Sequence, residues 1–180
     1  MSDSTQLVDN YTACFAAEIY KAFLHCSAKI IRSEGGEITA YDGDRIMAVF
    51  IGTRKNTSAV CAGLKINYAK LKIINPAIKN QYPKETYEFK HVIGIDTSSL
   101  FVARTGIRGS NDLVWVGRAA NHAAKLNTLS PDFATYITSD VYKKLNESVK
   151  ESDEGKDIWE ECKWESTNRT IYRSNGYLQF

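Results

Sequence analysis

Asp42 and Asp44 flank a single glycine in Glu37-Ile38-Thr39-Ala40-Tyr41-Asp42-Gly43-Asp44-Arg45-Ile46-Met47-Ala48-Val49-Phe50-Ile51. Asp-Gly between alternating or apolar runs signals a tight hairpin, so two strands are predicted, over 37–41 and 46–51, with carboxylates at their tip. Such a tip suits a divalent cation, because hard ions such as Mg²⁺ take oxygen ligands and share one or two carboxylates with substrate phosphates. Taken alone, Asp-Gly-Asp is also an ordinary polar turn. A second polar constellation runs from Gly94-Ile95-Asp96-Thr97 to Gly117-Arg118-Ala119-Ala120-Asn121-His122-Ala123-Ala124-Lys125-Leu126. Residues 117–129 read as a helix stopped by Ser130-Pro131.

The elements that must position these groups follow from periodicity. Leu7, Tyr11, Phe15, Ile19, Ala22, Phe23, Cys26 and Ile30 recur at helical spacing, predicting one helix over 3–32 that ends before Gly35-Gly36. Thr57 is the expected N-cap of a second helix carrying Val60, Gly63, Leu64, Asn67, Leu71 and Ile74, ended by Pro76 and Pro83. Its lysines, Lys65, Lys70, Lys72 and Lys79, read as a solvated face. Strands are expected over 89–96, 100–105, 113–116 and 134–138, a short helix over 139–145, and a closing hairpin from 158–164 and 170–180. Without a Rossmann glycine fingerprint, this order suits an α+β sandwich with helices on one face of a mainly antiparallel sheet.

Length and composition set the bounds. The 180 residues suit one domain, 1–180, and 43% hydrophobic with 24% charged residues is ordinary for a globular protein. The 23 basic and 21 acidic residues are interspersed and leave a net charge of +2, which argues against a nucleic-acid partner. No apolar run reaches the roughly 20 residues of a membrane span and no signal pattern opens the chain, so no membrane is expected and the cytoplasm is the expected location. Cys14, Cys26, Cys61 and Cys162 lack metal-ligand spacing and are expected as buried free thiols.

Gly35-Gly36 before a hairpin ending in Gly43-Asp44, then Gly94-Ile95-Asp96-Thr97, then Gly117, Asn121, Ala123 and Lys125 opening a helix, resembles the catalytic domain of the class III nucleotidyl cyclases. The ordered match runs from Met1 to about Asp140. It implies a ferredoxin-like core with additions, and a reaction in which the ribose 3′-hydroxyl attacks its own α-phosphate and expels pyrophosphate. Positioning and charge neutralisation do most of that work. The resemblance further implies two metal ions per site, Mg²⁺ or Mn²⁺, held by two aspartates. Asp44 falls on the second of these; the first, with the first strand, falls just upstream of Met1, and Asp3 falls on a family glycine. Asp42 stands where the family has an apolar residue. The backbone around Ser4 and Thr5 falls on the phosphate cradle. Asn121 falls on the ribose-orienting asparagine and Lys125 on the arginine that stabilises the transition state, where lysine keeps the charge but loses the planar fork. Arg108 lies near a triphosphate-binding arginine, with Arg104 and Arg118 in reserve. A homodimer is implied, with Asp44 and Lys125 of one site drawn from different chains.

Purine cyclases of this family read the base at positions that are Ala40 and Val114 here, and neither side chain can make the specifying hydrogen bond. Tyr41 beside them suits a smaller base, although regular alternation turns it away from Ala40 unless a bulge intervenes. Tyr41-Asp42-Gly43-Asp44 with the run from Gly117 to Leu126 resembles the bacterial pyrimidine cyclases of Pycsar anti-phage systems. This implies UTP as substrate, cyclic UMP as messenger and a separate effector that it activates. CTP stays open as the alternative substrate, and so does an inactive cyclase-like domain, to which Lys125 and Ser98 point. Gly35-Gly36-Glu37 also resembles a diguanylate cyclase signature, which Ile38 and Thr39 break.

Overall fold

A computed structural model describes residues 1–107, 110–152 and 154–180. The apolar period of the first segment forms two helices, α1 (Ser4–Asn10) and α2 (Ala13–Ser33), in place of the single helix expected. The break falls at Thr12, whose side chain accepts the Phe15 N–H at 3.3 Å and so caps a new helix instead of continuing the old one. The hairpin follows as β1 (Glu37–Asp42) and β2 (Arg45–Val49). Gly43 takes φ 58°, the positive angle that lets two residues reverse the chain.

Helix α3 (Lys55–Ala69) begins two residues before the expected cap, and Thr57 lies inside it with its hydroxyl accepting the Asn146 N–H at 3.3 Å. Pro76 does not end the helical path. A π-turn over Lys70–Ile74 lets Asn75 N–H bond to the Lys70 carbonyl, and α4 (Asn75–Gln81) continues with Pro76 in its first turn, where no N–H is required. Next come β3 (Ile93–Ile95), the ribbon β4 (Phe101–Ile107) with β5 (Ser110–Val116), helix α5 (Arg118–Leu126) and β6 (Thr135–Thr138). Helix α6 (Ser139–Tyr142), β7 (Glu160–Trp164) and β8 (Arg169–Ser174) complete the order.

Among the described residues, four strands form a sheet in the order β3-β6-β8-β7, with β3 and β6 parallel and the other pairs antiparallel. Alternation along β6 divides the core. Ile137 faces α3 with Val60 and Leu64, whereas Tyr136 faces the other way with Val92, Leu126 and Ile171. Helix α5 therefore covers the face opposite α3, a difference from the one-sided layer expected. A third cluster joins α2 to α3, α4 and Phe89. All four thiols are free, but Cys14 is exposed and the other three are half-buried, because they lie beside the buried stripes rather than on them. Among the described residues no helix is long and apolar enough to cross a membrane.

Candidate active site

The hairpin tip places Asp44 against the start of the chain. Its Oδ2 stands 3.0 Å from the Met1 ammonium, which also donates to the Asp44 carbonyl at 3.1 Å. Ser2 N–H donates to the Lys90 carbonyl at 3.0 Å, so the chain start runs beside the segment that leads into β3. Ser4 and Thr5 open α1 there, with the free first-turn N–H groups that helix geometry leaves. Asp42 is held in an exposed ion pair with Arg45 at 2.6 Å. A cavity of about 460 Å³ lies between the hairpin, β3 and the inner side of α5, lined in part by Ala40, Asp44, Gly94, Asp96, Ala120 and Ala123.

Helix α5 is seated on β3 at very close range. A Cβ on Gly94 would fall 2.2 Å from the Ala123 carbonyl oxygen, so only glycine admits the helix there. Ser98 Oγ accepts the Ala119 N–H at 3.0 Å and satisfies one first-turn donor of α5. Arg118 Nη2 donates to the Thr97 carbonyl at 3.0 Å and to Asp140 at 2.6 Å. Asn121 and Lys125 lie one turn apart on the exposed side of α5, away from the cavity. Among the described residues Lys125 makes no ion pair.

The structure thus brings Asp44, Ala40 and the chain start together, and sets Asn121 and Lys125 on an outward surface. Register resolves the two base positions. Thr39 is the extra residue of a β-bulge, after which Ala40 pairs with Met47 and Tyr41 with Ile46. The bulge precedes both residues, so they keep opposite faces; Ala40 lines the cavity and Tyr41 is 57% exposed outside it. Val114 pairs with Ala103 on the β4–β5 ribbon and is 43% exposed. Arg108 lies outside the described residues.

Two buried groups were given no role in the sequence reading. His91 is buried against the Phe23 and Phe89 rings, and burial pushes it down to about 3, with Lys70 adding to the effect. It therefore stays neutral across ordinary pH. Asp96, at the end of β3, has a side chain only 1% exposed and is ringed by Thr138, His122 and Arg118. An aspartate closing the apolar run before Thr97 was the available signal, but its partners lie far along the chain.

In fold the chain is a class III nucleotidyl cyclase domain. It superposes on the guanylyl cyclase Cya2 with a TM-score of 0.79, over 99% of this chain and 89% of that one at 16% identity. The adenylyl cyclase CyaB from P. aeruginosa gives 0.75, over 96% and 88% at 20% identity. No family model matches the chain. A uridylate cyclase of Xanthomonas perforans is 57% identical over 176 residues, 97% of this chain and 75% of that protein. One of Burkholderia cepacia is 52% identical over 174 residues, with the same coverage. The chain belongs to the uridylate cyclase family.

Proposed function

We propose that the protein converts UTP to 3′,5′-cyclic UMP and pyrophosphate, as a homodimer with two sites shared between its chains. The observation that carries this reading is the split of the site: Asp44 faces a cavity inside its own chain, while Asn121 and Lys125 face outward with no partner for Lys125 among the described residues. An outward amide and ammonium serve a nucleotide that a second copy holds. The β4–β5 ribbon supplies an apolar surface for that copy, with Phe101 72%, Ile107 77% and Val116 54% exposed. Asn121 orients the ribose, and Lys125 places positive charge beside the phosphorus as negative charge builds on its oxygens. The first turn of α1 at Ser4 and Thr5, with Arg108, holds the triphosphate. Ala40 and Val114 offer a purine edge no hydrogen bond.

The donor set fits a hard cation in one respect. The Asp44 carboxylate borders the cavity, although among the described residues no cluster of three or more acidic, histidine or cysteine side chains surrounds it. One such carboxylate, shared with triphosphate oxygens, matches the way Mg²⁺ is bound beside nucleotides. Mg²⁺ or Mn²⁺ bound there, two ions per site, supplies charge neutralisation and acidification of the attacking hydroxyl. Cyclic UMP then acts as the messenger of an anti-phage response and activates a separate effector, a reading supported by the likeness of the hairpin tip and α5 to the Pycsar cyclases. Incubating the purified protein and Mn²⁺ with each of the four ribonucleoside triphosphates tests the reading. Cyclic UMP is the expected main product. Preferential turnover of CTP shifts the assignment to a cytidylate cyclase, equal or greater turnover of ATP or GTP refutes the pocket argument, and no product from any of them indicates an inactive nucleotide-binding domain.

A further inference from the structure

Asn121 can orient a ribose only if the rotation of α5 about its axis is fixed, and nothing on its own exposed side fixes it. The neighbouring residue adds a directional contact to the seat of α5 on β3 and the Ser98 and Arg118 contacts at its start. Successive helical side chains point about 100° apart, so His122 turns inward where Asn121 turns outward. Its Nδ1 lies 3.0 Å from Asp96 Oδ2, in contact though short of aligned hydrogen-bond geometry. Its ring meets Trp164 edge to face, with centroids 5.3 Å apart at 82°. Asp96 is itself immobilised, because Oδ1 accepts from the Thr138 hydroxyl at 2.6 Å and Oδ2 lies 3.6 Å from Arg118 Nε.

Burying a carboxylate in this way is a poor means of gaining stability, since desolvation offsets much of the attraction and apolar side chains of similar size do as well. What the pair supplies is direction. An apolar contact at this place tolerates rotation and sliding, whereas a carboxylate clamped by Thr138 and Arg118 offers the imidazole a polar contact at one place only. We propose that Asp96 and His122 act as a positioning couple that sets the rotation of α5 and so aims Asn121 at the ribose. This rests on the reading of α5 as the nucleotide-orienting half of the shared site. In this reading both act through Asn121.

Steady-state kinetics with UTP and Mn²⁺ test the couple, using His122→Phe, which keeps a ring against Trp164, and Asp96→Asn, which keeps the shape. Each is expected to lower kcat by roughly 10- to 100-fold, the loss that a misplacement near 1 Å brings, with KM within about threefold of wild type and an unchanged urea midpoint for His122→Phe. His122→Gln, which retains a donor, is expected to recover part of the loss. In an Asn121→Ser background, His122→Phe is expected to cost nothing further, because the residue through which it acts is already impaired. Wild-type kcat in His122→Phe, or the same fold loss with and without Asn121, overturns the couple. Full activity in Asn121→Ser overturns the reading of α5 and the couple with it, so the two failures are distinguishable.

Discussion

Gly94→Ala and Gly63→Ala add the same methyl group to a half-buried and a buried glycine of this fold, and the surroundings dictate opposite outcomes. At Gly94 the new Cβ would sit 2.2 Å from the Ala123 carbonyl oxygen, 2.7 Å from Leu126 Cβ and 2.8 Å from Asn127 N, and real Cβ contacts do not come under 3.0 Å. Two of those neighbours are backbone of α5 or its end, so no side-chain rotation relieves the clash and the helix must retreat by about 1 Å, a displacement that costs roughly 100-fold when it moves a catalytic group. Overpacking of this kind costs about 1–3 kcal/mol, and each kcal/mol lowers Tm by roughly 2–4 °C in a chain of this size. At Gly63 the nearest atom, Thr135 Cγ2, would be 3.5 Å away, an ordinary contact. There the change removes a glycine from the interior of α3, worth up to about 1 kcal/mol in favour of the variant. The assays are thermal unfolding and initial rates of cyclic UMP formation. Gly94→Ala is expected to lose both stability and kcat, Gly63→Ala neither. A Gly94→Ala variant with wild-type Tm and kcat refutes the claim that α5 is held in place by its seat on β3.

Other perturbations follow from the same contacts. Replacing Ser98 with Ala or Gly removes the acceptor of the Ala119 N–H and is expected to cost about 0.5–2 kcal/mol in urea unfolding, even though glycine is the residue the cyclase pattern favours there. His91 takes up a proton in the unfolded chain near 6.5, but only near 3 in the folded one. The unfolded state therefore binds more protons between those values, and stability falls as pH drops below 6.5, by up to about 1.4 kcal/mol per pH unit from this group. His91→Phe, which continues the Phe23–Phe89 stack, is expected to flatten that part of the stability–pH curve, and an unchanged slope between pH 4 and 6.5 refutes it.

Local chemistry made the hairpin legible. Asp-Gly between β-forming residues fixed the turn within a residue, and the alternation of apolar side chains found the helices that cover the sheet. Helix ends were harder to read, because capping was decided by competition between nearby hydroxyls. Thr12, inside a perfect apolar period, captured the Phe15 N–H, and Thr57, a plausible cap, was instead used by Asn146. Pro76 was misleading for a related reason, since the π-turn before it bonds Asn75 N–H to the Lys70 carbonyl and Pro76 falls in the first turn of α4. Asp44, Asn121 and Lys125 stood out through the ordered cyclase pattern. The ring of Thr138, His122 and Arg118 around Asp96 did not, because it joins β3, α5 and the end of β6, and only the packing of α5 on the sheet brings them together.

The most direct test of a site divided between two chains is complementation. Asp44→Ala and Lys125→Ala are each expected to be inactive, since every site in either homodimer lacks one half. Mixed in equal amounts and allowed to exchange, half of the dimers combine the two variants and each of these carries one intact site, so about a quarter of wild-type cyclic UMP formation should return. If subunit exchange is verified and the mixture stays as inactive as its components, Asp44 and Lys125 do not serve one site across the dimer, and the account is contradicted.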